Sequence, residues 1–185
     1  MTREEAIGLI KSRIKNQNSI KHMLATEAIM RSLAKYFKED EEMWGLAGLL
    51  HDLDMEDEEC LADPSLHANK AADELDSLGV DKIITDAIRA HNEMTGKSRD
   101  TLIEKCIYAV DPLTGLIVAS VLVLPSKKLA DLQLKSLQKR FREGNFAKGA
   151  RREGISACAD FNMELEEFLE IGLRAMQGIS NELGL

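Results

Sequence analysis

Apolar residues recur at spacings of three and four along nearly the whole chain, and no stretch shows the period of two expected of a half-buried strand. The pattern predicts helices throughout. Thr2 and Glu5 have capping-box spacing and open a first helix reaching about Ile14. After Asn16–Asn18, a second helix carries His22, Ala25, Ile29 and Leu33 on one face and ends near Phe37. Glu41 and Glu42 suit the positive start of a third, which runs through Trp44, Ala47 and Leu50 to His51. The acidic connection DLDMEDEECLADP follows. A fourth helix is expected from Ser65 to a stop at Gly79, and a fifth from Asp81 through Ile84 and Ile88 to His91. NEMTGKSRD reads as a loop. Asp100 is the expected cap of a long sixth helix that contains Asp111-Pro112 and ends at Pro125. Two or three further helices fill 127–185, broken near Gly144–Gly149 and Asn162.

The fold class is therefore all-α. The 185 residues predict a helical core over 1–125 with C-terminal helices, 126–185, packing on it as one compact domain. Composition sharpens this by exclusion. With 44% hydrophobic and 30% charged residues the chain is not disordered, and 12 Gly with 3 Pro are too few for a many-stranded sandwich or barrel. Cys60, Cys106 and Cys158 lie far apart and are odd in number, which argues against a disulfide framework and for a reducing, cytoplasmic setting. No continuous signal-peptide core is seen in the first residues. The longest apolar stretch, Leu113–Leu124, is shorter than the ~20 residues that span a bilayer and reads as a buried helix, so no membrane association is expected.

All four histidines fall on the apolar stripe of a predicted helix, near one of its ends. His22 shares a stripe with Ala25 and Ile29, His51 follows Trp44 and Ala47, His67 precedes Ala71 and Leu75, and His91 follows Ile84 and Ala87. Asp52 adjoins His51, and Asp111 lies inside another apolar helix. Buried imidazoles want a Lewis acid or a donor, and buried carboxylates want a cation. A metal ion answers both demands. His51 and Asp52 point about 100° apart on a continuous helix, so they converge only if the helix ends there.

The ordered set His22, His51-Asp52, His67, His91 and Asp111 resembles the HD-domain superfamily of metal-dependent phosphohydrolases, over roughly residues 20–115. That resemblance implies an HD-domain-like helical bundle with a C-terminal extension. It also implies that His22, His51, Asp52 and Asp111 hold a first metal. His67 and His91 match the additional histidines of the two-metal subset, in which Asp52 is shared between the ions; whether they carry a second ion or hydrogen-bond substrate stays open. Imidazole and carboxylate without thiolate suit Fe, Mn, Co, Ni or Zn, and one or two such divalent ions are the expected cofactor. A bound dication lowers the pKa of water from 15.7 towards ~7, and Asp52 would serve as ligand and orienter. Glu93 is the nearest carboxyl to protonate a leaving oxygen. Two departures stand out. His51-Asp52 is followed by Leu53-Asp54-Met55 where many relatives continue Ile-Gly-Lys, so a phosphate-touching lysine is missing, and His91 is not followed by the run typical of cyclic-di-GMP phosphodiesterases.

Charge outside this set is uneven. Six acids and no base lie between Asp54 and Asp63, mostly a solvated loop, with Asp54 or Glu56 placed to orient a ligand histidine. From Lys127 to Arg152, nine bases face two acids. Lys135, Lys139 and Arg142 share one helix face and, together with the FAKGARRE loop (146–153), are the candidates to bind substrate phosphate in place of the missing lysine. The net charge of −8 removes the general case for nucleic-acid binding. The helix ELEEFLEIGLRAMQGISNEL packs on the domain or, in a homo-oligomer, against a second subunit. The function read from these residues is hydrolysis of a small phosphoester, a nucleotide or dinucleotide included. The alternatives are an HD-fold diiron oxygenase using O₂ and a non-catalytic module stabilised by its metal.

Overall fold

Eleven helices and three short 3₁₀ turns make up the chain, and a computed structural model describes residues 1–185 of it. No strand is present. Helix α1 (Arg3–Arg13) starts with the expected capping box, Thr2 with Glu5. Helix α2 (Gln17–Phe37) is capped by the Asn16 side chain and closes at Lys38 in the left-handed region. Asp40 accepts from Glu42 N and Met43 N and so starts α3 (Glu41–Leu50). Helices α2 and α3 cross closely because Gly48 lacks a side chain. A Cβ there would lie 2.9 Å from the Thr26 carbonyl oxygen and 3.0 Å from Glu27 Cα.

The acidic connection holds a short helix that apolar periodicity did not predict, α4 (Glu58–Ala62), capped by Asp57 accepting from Glu59 N and Cys60 N. The expected helix from Ser65 begins later, as α5 (Asn69–Ser77), because Ala68 sits at φ 73° and breaks the run. His67 therefore lies in a turn and not on a helix face. Helix α6 (Lys82–His91) follows Asp81, which caps it through Ile83 N.

Helix α7 (Leu102–Leu122) is the central strut, with 14 of its 21 residues buried. Its cap differs from the sequence expectation. Thr101 stands at the start, and the buried Glu104 reaches back to Asp100 N and Thr101 N, so the Thr-x-x-Glu spacing prevails over Asp100. Helix α7 is long and apolar enough to cross a bilayer by length and composition, but here most of it is buried against the other helices. Beyond it come α8 (Leu134–Arg142), α9 (Arg152–Ser156), α10 (Leu165–Gly178) and α11 (Ser180–Leu183). Helix α10 packs on α2 and α7, and one hydrophobic core of 45 residues runs from Ala6 to Leu183. The three cysteines are buried and free.

Candidate metal centre

Four helix ends or interiors and one turn deliver side chains to a common point. His22 comes from the second turn of α2, and His51 and Asp52 from the residues just past Leu50, where α3 stops as convergence of the pair requires. His67 comes from the turn before α5, His91 from the last position of α6, and Asp111 from the middle of α7. His51 Nε2 lies 3.1 Å from His22 Nε2 and 3.4 Å from Asp52 Oδ1. His22 Nε2 lies 3.4 Å from Asp52 Oδ2 and 3.2 Å from Asp111 Oδ1. On the other side of Asp52, His67 and His91 place their Nε2 atoms 3.1 Å apart, and 3.3 and 3.5 Å from Asp52 Oδ1. Asp52 thus belongs to two donor groups, one with His22 and His51 and one with His67 and His91.

The outer nitrogens fix the tautomers. His51 Nδ1 is 2.9 Å from the Gly48 carbonyl oxygen and His91 Nδ1 is 2.6 Å from that of Ile88, so each must donate. His67 Nδ1 donates to Asp54 Oδ1 at 2.7 Å. The Thr114 hydroxyl gives its single proton to the Asp111 carbonyl oxygen and so accepts from His22 Nδ1 at 2.8 Å. Every Nδ1 therefore carries its proton. With the rings neutral, four bare Nε2 lone pairs and two carboxylates face one another at 3.1–3.9 Å. Such an arrangement is repulsive unless positive charge stands among the donors.

The donor set fits a transition-metal dication. Nitrogen and oxygen ligands held about 2.1 Å from one ion, at angles of about 90–110°, lie about 3.0–3.4 Å apart. Most of the observed separations fall in or close to that range. Fixing each imidazole through its far nitrogen is also how metal-binding histidines are held in orientation.

The electrostatics carry the same message. Burial holds His51 down at about 4. Burial also opposes charge on His67, yet the Asp52 and Asp54 carboxylates outweigh it and lift that ring to about 10. His22 is raised because Asp111 and Asp52 together outweigh its burial. Burial would push Asp52 and Asp111 up, but the surrounding imidazoles keep both below the usual carboxylate range. The cavity favours anionic carboxylates with a cation between them.

Asp54, one of the two acids expected to orient a histidine, does so, and its Oδ2 also accepts from Ala68 N at 2.9 Å and Ala71 N at 2.8 Å. Glu56 instead accepts from Lys15 N and Asn16 N, tying the turn to the start of α2. Lys135, Lys139 and Arg142 are not brought to the cluster. All three are exposed on α8 and none pairs with a cluster residue. The base that reaches it is Arg151, whose guanidinium lies 3.7 Å from Asp111 Oδ2 and 3.5 Å from Glu93 Oε2. Arg151 belongs to the FAKGARRE loop, one of the two phosphate-binding candidates in the sequence, although nothing in the spacing separates it from Lys148 and Arg152.

Arg152 explains the difference. Its guanidinium donates to the carbonyls of Arg140, Phe141, Phe146, Ala147 and Ala150, folding the 143–150 loop around itself and turning Arg151 towards α7. Glu93 is joined to the cluster only through Arg151, and both its oxygens are engaged. The Tyr108 hydroxyl donates to Oε1, and Arg151 faces Oε2. In that setting Glu93 holds Arg151 in place. Arg99 and Arg151 lie over the Tyr108 ring, 3.9 and 5.1 Å from its centroid.

The HD domain family model matches residues 19–116, a span that contains all six converging side chains. That span is more than half of the chain, and the protein belongs to the HD domain family, whose members are in general metal-dependent phosphohydrolases. No curated protein and no solved structure matches the chain.

Proposed function

We propose that the protein is a metal-dependent phosphohydrolase that cleaves a small phosphoester, using two divalent transition-metal ions held by His22, His51, Asp52 and Asp111 on one side and by Asp52, His67 and His91 on the other. The observation that carries this reading is the tautomer lock: every Nδ1 proton is spoken for, so in the neutral rings every Nε2 lone pair faces the same small space. When bound, such ions acidify water and neutralise charge on a phosphoryl group. The rest falls to the chain's own residues. Asp52 is shared between the two donor groups and fixes their spacing. Asp54 and Thr114 hold His67 and His22 in register. Arg151, half-exposed beside Asp111, is the group available to bind a phosphoryl oxygen, and its planar fork suits that task better than an ammonium would. Glu93 and Tyr108 position Arg151.

Metal-dependent release of phosphate from a panel of phosphomonoesters and nucleotides, measured anaerobically, tests the reading. Release that disappears in Asp52→Ala supports it. Silence on the panel together with substrate-dependent oxygen uptake would replace it with the oxygenase chemistry that the same donor set can serve.

A further inference from the structure

An apolar groove opens directly from the metal centre. Asp111 heads a stripe on α7 that continues through Thr114, Gly115, Val118, Ala119 and Leu122, at spacings that keep one helix face. From Thr114 onward, this face forms one wall of a cavity of about 400 Å³. The opposite wall is Asn18, Lys21 and His22 of α2, and Leu183 and Leu185 line the remaining side. His22 and Thr114 thus belong both to the cluster and to the groove. The volume is that of a small-molecule pocket.

We propose that this groove takes the hydrocarbon part of the substrate, so that the phosphoester cleaved is a monoester of a small apolar alcohol. The inference rests on the phosphohydrolase reading and deepens it. The phosphate lies at the Asp111 end, where Arg151 stands, and Lys21 beside His22 adds a second cation at the rim. From there the chain of the alcohol runs along Val118 and Ala119 towards Leu122, a rise of about 12 Å from Thr114 at 1.5 Å per residue. A nucleobase is a poor occupant. No Phe, Tyr or Trp ring lines the groove for stacking, the His22 ring is held by its partners in the cluster, and the Thr114 hydroxyl is already committed to His22 and Asp111. Asn18 is the one amide side chain in the lining.

Calorimetric titration of the Mn²⁺-loaded protein with alkylphosphonates from methyl to octyl tests the assignment without needing turnover. The groove predicts affinity rising about fourfold per methylene until the chain passes Leu122. Ala119→Trp, which fills the groove, and Leu122→Ser, a half-exposed position with little bearing on folding, flatten that rise while leaving methylphosphonate binding within about twofold. A flat series in the wild-type protein with methylphosphonate still bound overturns the groove assignment and leaves the phosphohydrolase reading standing. Tighter binding of nucleoside monophosphates than of hexylphosphonate overturns it as well, as does self-association abolished by Leu122→Ser. If affinity rises with chain length but no phosphoester is cleaved, the groove stands and the hydrolytic reading falls.

Discussion

Asp54 supports both the metal centre and the helix behind it, and two substitutions separate these roles. In Asp54→Asn the amide oxygen can still accept from Ala68 N and Ala71 N, so the start of α5 keeps its partners. The amide nitrogen then faces His67 Nδ1, which is 2.7 Å from Asp54 Oδ1 in the native protein. Two N–H groups cannot face each other, so His67 moves its proton to Nε2, the atom that lies 3.3 Å from Asp52. The lone pair offered to the second ion is lost. Loss of a group that orients a ligand typically lowers metal affinity by about 10–100-fold, or about 1.4–2.7 kcal/mol. Asp54→Ala goes further. It leaves two buried backbone N–H groups without partners, at about 1–3 kcal/mol each, which for a chain of this size lowers the melting temperature by roughly 4–24 °C. Competitive metal titration with elemental analysis reads the first effect, and calorimetric melting reads the second. The reasoning is refuted if the Asn variant binds two ions as tightly as the native chain, or if the Ala variant melts at the native temperature.

Arg151→Ala should lower kcat/KM by about 10²–10³-fold on any phosphoester cleaved, with Arg151→Lys recovering part of it, as expected for a charge-assisted contact to a phosphoryl oxygen. Glu93→Gln, acting through Arg151, should change KM by less than about tenfold and leave the acid limb of the pH–rate profile in place; loss of that limb would restore Glu93 as the proton donor. Gly48→Ala inserts a Cβ against the backbone of α2, so we expect about 1–3 kcal/mol lower stability together with weaker metal binding, since the same residue's carbonyl holds His51; an unchanged denaturation midpoint would contradict the close crossing. The metal-free protein should be most stable near about pH 6.5. His51, held at about 4 by burial, stays neutral in the fold while the unfolded chain takes up a proton, so stability is lost as pH falls from the unfolded value towards 4. His67, at about 10, stays charged after the unfolded chain has released its proton, so its contribution is present at acid pH and lost as pH rises towards 10. Melting of chelator-treated samples across that range checks both limbs, and a melting temperature that climbs steadily to pH 9 would overturn the assignment.

The helices and the converging ligands were legible because both rest on periodicity. His22, Asp111 and the run into His51 each sit on an apolar stripe, and a polar group on such a stripe must find a partner in the interior. The stop of α3 after Leu50 followed from the need to aim two consecutive side chains at one point. Other features depend on pairings that no local pattern encodes. His67 reaches the cluster from a turn because Asp54, thirteen residues earlier, captures its ring and two amides beyond it. Arg151 is one of nine bases in its stretch, and the carbonyls gathered by Arg152 decide that it, and not the exposed face of α8, meets Asp111. Thr114 could have been found, since it lies one helical turn past Asp111 on the same face.

The most direct test of the metal centre is elemental analysis of the anaerobically purified protein beside its Asp52→Ala variant. The native chain is predicted to carry up to two transition-metal ions and the variant to lose both, because both donor groups share that one carboxylate. A native chain that binds no transition metal, or a variant that keeps the native content, would contradict the account.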